Sequence, residues 1–199
     1  MFAIRHGIPR GHEDRASALY WEAFGDKLGR VLGPQDKGLA FVRQVVNPSH
    51  AISAVDRHGQ LLGVAGFKTA KGALVGGTWA DMKVVYGIFG ATWRTAMIAL
   101  IEKDTENERF LIDGLFVAPE ARGRGIGTAL LDAIVAEGRR RGYDSVRLDV
   151  VDSNTRARAL YERHGFRPLK TTRMGVLKHL FKFASATTMV RPVSGMHRT

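Results

Sequence analysis

The chain contains no cysteine. Disulfide frameworks, cysteine-ligated zinc, iron–sulfur clusters and thiol nucleophiles are therefore excluded. Long hydrophobic runs are missing too. The longest apolar stretch without charge, Val84 to Trp93, is ten residues, about half of the ~20 needed to span a bilayer as a helix. The opening segment MFAIRHGIPRGHED has no apolar run of signal-peptide length. These absences predict a soluble, cytoplasmic protein with no membrane partner. No G-x-S-x-G elbow is present, so a serine hydrolase is not supported. The seven histidines (His6, His12, His50, His58, His164, His179 and His197) show no H-x-x-x-H or similar spacing. No metal site is expected from them.

Acidic residues are scarce: 19 against 30 lysines and arginines, a formal charge of +11. The imbalance is local. Residues 139–199 hold 14 basic and 4 acidic residues, a net of +10, and residues 1–138 carry only +1. The last third therefore attracts anions through its summed field. Nucleic acid, a membrane surface, a phosphorylated small molecule and a merely solubilising surface all satisfy that field, and charge alone does not choose. Hydrophobic content of 45% argues against disorder. No repeat, low-complexity tract or Pro/Ser-rich linker divides the 199 residues. The expectation is one domain over residues 1–199, with a short tail near Met196 to Thr199.

The hydrophobic periods outline the elements. Phe2 to Ile8 reads as a strand, and Glu13 to Phe24 as a helix that Gly25 can end. Asp36 to Val46 is a second helix, stopped by Asn47-Pro48. Ala51 to Asp56 and Leu61 to Phe67 form a hairpin about Arg57-His58-Gly59-Gln60. Trp79 to Lys103 is mostly helical, with Gly87 and Gly90 as weak points. The acidic residues Glu102, Asp104, Glu106 and Glu108 follow as a solvated helix end or a lure for a cationic acceptor. Phe110 to Val117 is a strand. Ile126 to Arg141 is a strong helix with rows Ile126/Leu130/Ile134 and Leu131/Val135, and Asp132, Glu137, Arg139 and Arg140 placed away from them. Val146 to Val150 alternates as a strand. Asn154 can cap a helix that runs to His164. Phe166 to Thr171 and Ala186 to Arg191 are the last strands. Together they predict an α/β (α+β) fold: a mixed sheet of six to seven strands with helices on its faces.

The most informative segment is LFVAPEARGRGIGTALL, Leu115 to Leu131. A strand leads through a short loop into Gly123, Gly125 and Gly127, where a helix begins. Backbone N–H groups at such a start bind phosphate, and glycine lets the phosphate approach closely. Arg122 and Arg124 add guanidinium groups suited to phosphate oxygens. No Lys-Ser or Lys-Thr follows, as a Walker loop needs, and the third glycine is misplaced for G-x-G-x-x-G. A tight turn that uses glycine for geometry alone is the other reading.

Arg122-Gly123-Arg124-Gly125-Ile126-Gly127 resembles the [Q/R]-x-x-G-x-[G/A] motif of the GCN5-related N-acetyltransferases. A second match follows at the expected distance. Asn154, Ala157, Leu160, Tyr161, Gly165 and Phe166 stand in that family's N-x-x-A-x-x-L-Y-x-x-x-G-F pattern. The detailed resemblance covers Ile112 to Phe166; the first half agrees only in element order.

The resemblance implies a splayed sheet and acetyl-CoA as acyl donor. The amides of Arg122, Gly123, Arg124, Gly125, Ile126, Gly127 and Thr128 would hold its diphosphate. Leu115, Phe116 and Val117 would pair with the pantetheine arm, and an amide there would polarise the thioester carbonyl. Asn154 would bond the pantetheine or its surroundings. Tyr161 occupies the position of the acid that protonates the leaving thiolate and would also contact the cofactor; as a residue on an apolar helix face, it equally suits the core. Asp113 is the nearest candidate base, or a binder of the amine cation. It alternates with Leu111 and Leu115, and partial burial would raise its proton affinity. The acceptor would be a small-molecule or peptide amine, with nucleic acid disfavoured for want of a reading helix or an aromatic–basic sheet. A non-catalytic CoA-binding module, or a basic nucleic-acid- or protein-binding module of the same fold, is the alternative. Trp79 to Ile101, carrying Met82, Val85, Phe89, Trp93 and Met97, has three readings: core, acceptor wall or homodimer contact.

Overall fold

The strand segments of the sequence become one mixed sheet in the computed structural model, which describes residues 1–101, 109–175 and 182–193. In chain order the elements are β1 (Phe2–His6), α1 (Glu13–Leu32), α2 (Gln35–Val45), β2 (Ala51–Asp56), β3 (Leu61–Lys68), α3 (Trp79–Ile101) and β4 (Phe110–Val117). Then come α4 (Ile126–Arg140), β5 (Ser145–Val151), α5 (Thr155–Arg163), β6 (Arg167–Arg173) and β7 (Ser185–Pro192). Among the described residues the sheet has seven strands in the order β1-β2-β3-β4-β5-β7-β6. Only β4 and β5 run parallel, because α4 carries the chain back between them. The expected acidic run at 102–108 and the tail at 196–199 lie outside the described residues. Among the described residues no helix is long and apolar enough to cross a membrane.

The main core gathers Ile52, Leu61, Phe67, Phe110, Leu130, Ile134 and Phe166 from the sheet, α4 and the turn after α5. A second cluster joins Val31 and Leu32 of α1, Phe41 of α2, and Met82 and Ala91 of α3. Helix α1 does not stop at Gly25; it runs on to Leu32. The reason is tertiary. A β-carbon at Gly25 would lie 3.0 Å from the Trp21 ring, and one at Gly38 of α2 would lie 2.1 Å from it. Both glycines make room for the indole.

Helix α3 bends at Gly87, whose φ of 70° lies in the left-handed region. Tyr86 donates its hydroxyl to the Leu32 carbonyl, and Arg94 reaches the Gly33 carbonyl at 3.0 Å. The guanidinium lies 4.0 Å from the centre of the Tyr86 ring. These contacts occupy carbonyls that the end of α1 leaves without helical partners. Met82 and Val85 face inward, whereas Val84, Ile88, Phe89 and Trp93 are exposed. The segment is therefore core on one side only.

Glu137 departs from its expected outward placement: its side chain is 1% exposed. It lies three residues after Ile134, which puts it on the core-facing side of α4. Arg140 and Arg141 bond to it at 2.7 and 2.6 Å. Arg141 also lies over the Phe67 ring at 4.6 Å. Burial opposes ionisation of Glu137, and the two arginines more than offset it, so its pKa lies below the ordinary value. A depressed carboxyl stabilises the fold above its unfolded pKa of about 4.3 and ceases to do so as pH falls through the lower folded value. We expect Glu137→Gln to cost about 1–3 kcal/mol at neutral pH. In urea unfolding, the gap between the two proteins should close on acidification; a gap independent of pH would remove this linkage.

Candidate active site

The site begins where two strands part. β4 and β5 pair through Phe110–Val146, Leu111–Arg147 and Ile112–Leu148, and there the pairing ends. Beyond it β5 continues on β7 and β4 continues on β3. The β5-facing edge of β4 is thus left without a strand partner from Asp113 onward.

A bulge lies at the same point. Phe67 pairs with Ile112 and Gly66 with Gly114, so Asp113 is the extra residue. Its effect on the strand's faces is large. A β-carbon at Gly138 of α4 would meet Phe110 at 2.9 Å, and one at Gly127 of α4 would meet Leu115 at 3.8 Å. Phe110 and Leu115 are an odd number of residues apart, yet both meet α4. A regular strand forbids that, and one extra residue permits it. Leu115 and Val117 are thereby turned toward α4. Phe116 is turned toward α1, where it meets Tyr20 and Phe24 edge-on at 5.9 and 6.1 Å. The simple alternation of Asp113 with Leu111 and Leu115 does not hold through the bulge.

Two cavities flank this stretch. The first, of about 540 Å³, is walled by Leu115, Phe116 and Val117 of β4, by Arg122, Gly123, Gly125, Ile126, Gly127 and Thr128, and by Asn154, Ala157 and Leu160. Arg156 and Arg163 of α5 and Glu22 of α1 also line it. The second, of about 640 Å³, contains Asp113 together with Tyr20, Phe24 and Lys27 of α1, Lys68 of β3 and Met82 of α3. Phe24 lines the second of them, and its ring lies 3.2 Å from where a β-carbon of Gly114 would stand.

The glycine loop has the form of an anion cradle. Gly123 and Gly125 have φ of 78° and 77°. Gly125 caps α4 in the left-handed conformation, and no side chain caps that helix. The Ala129 N–H to Gly125 carbonyl bond opens the helical ladder, so the amides of Ile126, Gly127 and Thr128 precede it. A β-carbon at Gly123 or Gly125 would meet nothing within 4 Å. Open space above exposed donors, with Arg122, Arg156 and Arg163 around it, fits a diphosphate.

Some expected donors have other work. The Arg122 amide donates to the Pro119 carbonyl at 3.3 Å. Its side chain donates to the Val117 carbonyl at 3.2 Å and lies 3.7 Å from Glu22. Arg122 thus ties the loop to the end of β4. Arg124 does not line the cleft. The Asn154 side-chain oxygen accepts from the Ala157 amide and caps α5, which leaves its NH₂ group for a ligand. His164 joins α5 to α4 through Asp132 at 3.0 Å.

Tyr161 is buried behind Ala157 and Leu160 rather than lining the cleft, with its ring 6.0 Å from that of Phe166. Burial pushes its phenol up to about 12, so it stays protonated at any working pH. Sequence reasoning missed Arg156 and Arg163 as cleft residues. Their seven-residue spacing, two helical turns, was the available signal. Glu22 and Phe24 lay within the helix expected over Glu13 to Phe24, but nothing in the sequence tied that helix to the cleft, and Lys27 lay beyond its expected end.

A family model described as Acetyltransferase (GNAT) family matches residues 14–166. The chain belongs to that family. Over 55 residues it is 53% identical to the mycothiol acetyltransferase of Beutenbergia cavernae, a match covering 28% of this chain and 18% of that protein. The mycothiol acetyltransferase of Salinispora arenicola is 57% identical over 53 residues, 26% of this chain and 17% of that protein. The chain thus matches less than a fifth of the length of these relatives. A GCN5-related N-acetyltransferase from Kribbella flavida superposes with a TM-score of 0.63 at 19% identity, over 96% of this chain and 97% of that one. That likeness extends the GNAT fold over 96% of the chain, including the half where the sequence motifs are silent.

Proposed function

We propose that the protein transfers the acetyl group of acetyl-CoA to a primary amine of a small molecule or peptide, by direct attack with both substrates bound. The observation that carries this reading is the pair of cavities lined by neighbouring residues of β4, Leu115 to Val117 in one and Asp113 in the other, where β4 parts from β5. The first of them has the anion cradle.

Bound acetyl-CoA supplies an activated thioester. The amides of Gly123 to Thr128 hold its diphosphate, and Arg156 and Arg163 add positive charge. The free edge of β4 at Leu115 to Val117 aligns the pantetheine arm as a strand neighbour would. An N–H from that edge stabilises negative charge on the thioester oxygen, a contribution of about 3 kcal/mol to the barrier in comparable sites. Asp113 holds the amine and takes its proton. The amine nitrogen bonds to the acyl carbon, the carbon–sulfur bond breaks, and the departing sulfur takes a proton, for which the Tyr161 hydroxyl, behind the cleft wall of Ala157 and Leu160, is the candidate donor. Solvent then restores both groups.

The test is thiol release from acetyl-CoA over a panel of amines, with thermal stability measured beside it. Acetyl-CoA should stabilise the protein; NADH and ATP should do so far less. Salt-dependent DNA binding with no response to acetyl-CoA would favour the basic-module reading instead.

A further inference from the structure

The second cavity carries information about the acceptor. Its volume of about 640 Å³ lies within the ~300–1,000 Å³ of small-molecule sites. Most of its wall is apolar: Phe24, Leu28, Leu32, Phe41 and Met82 stand among its lining residues. Its charged lining groups, among the described residues, are Lys27, Lys68 and Asp113. Cations outnumber anions there, which disfavours an acceptor with several ammonium groups.

Lys27 stands out. It is half-buried, and its ammonium sits 5.8 Å from the centre of the Phe24 ring, which lines the same cavity. Among the described residues no carboxylate lies within ion-pair distance of it. Burial alone pulls its pKa below the ordinary lysine value. A desolvated cation facing an apolar cavity gains from an anion delivered by a ligand, through a charge-assisted hydrogen bond.

Resting on the acetyltransferase reading above, we propose that Lys27 binds the carboxylate of the acceptor. The acceptor is then an amino-acid-type amine: its amino group at Asp113, its carboxylate at Lys27 and an apolar side chain against Phe41 and Met82.

The test uses matched pairs that differ by the carboxylate: L-phenylalanine with phenethylamine, L-leucine with isoamylamine, and L-tryptophan with tryptamine. Spermidine represents polycations. Thiol release should favour the amino acid of at least one pair by about tenfold or more in kcat/KM. In Lys27→Met, and in Lys27→Gln as a second variant, that ratio should fall toward one. Lys83→Met, on the outer side of α3, should retain it. Calorimetry of the three amino acids on the wild type and on both Lys27 variants reads the same contact without turnover. Preference for spermidine or for the decarboxylated amines overturns the proposal, as does a ratio or a binding heat that survives loss of Lys27. Absence of thiol release with every amine would instead count against acetyl transfer, and calorimetry would still judge Lys27.

Discussion

Replacing Gly125 by valine should abolish stabilisation by acetyl-CoA while leaving a folded protein. Gly125 has φ of 77° and caps α4. A side chain in that conformation costs roughly 1–2 kcal/mol, more when β-branched. No atom lies within 4 Å of its β-carbon position, so the fold itself need not be lost. The anion cradle should not survive, because Gly125 is one of the two left-handed residues that aim its amides, the other being Gly123. Ligand at 100 times its Kd adds about 2.7 kcal/mol, a rise of roughly 5–10 °C in a protein of this size. The wild type should show that rise and Gly125→Val should not. If the variant is stabilised as strongly as the wild type, the diphosphate is held elsewhere.

Tyr161→Phe should lower kcat by about ten- to a hundredfold, with little change in the affinity for acetyl-CoA. The hydroxyl makes no hydrogen bond with the described residues, so its removal should cost little stability. The ring and its packing on Phe166 remain. Because burial holds the phenol near about 12, the wild-type rate should show no decline from tyrosine ionisation near pH ~10, where an ordinary phenol titrates. Single-turnover rates that match in the two proteins would make Tyr161 a core residue only. Near-equal kcat with weakened acetyl-CoA binding would shift its role from proton donor to cofactor contact.

Much of the fold was legible because its signals are local. The short apolar runs Ala51 to Asp56 and Leu61 to Phe67 about a hairpin loop, and the period near four from Ile126 to Val135, mark elements that packing then kept. The glycines at 123, 125 and 127 announced a loop with special backbone needs, and two of them have positive φ. Asn154 was readable as a cap for the same local reason. What misled were residues whose near neighbours along the helix are turned inward only by packing against other elements. Gly25 reads as a helix stop until Trp21 is seen to need its space. Glu137 reads as a surface acid until Arg140 and Arg141 close over it.

The amino-acid sequence by itself determined the order of the elements, the basic last third and the glycine loop that opens α4, because turns, caps and hydrophobic periods act over a few residues. The tertiary structure alone decided where chemistry can happen. One extra residue at Asp113 turns the faces of β4 and coincides with its parting from β5, and no periodicity in the chain announces it. The second cavity gathers side chains from α1, α2, β3, α3 and β4, and only the packing of α1 on the sheet brings Lys27 and Asp113 into the same space.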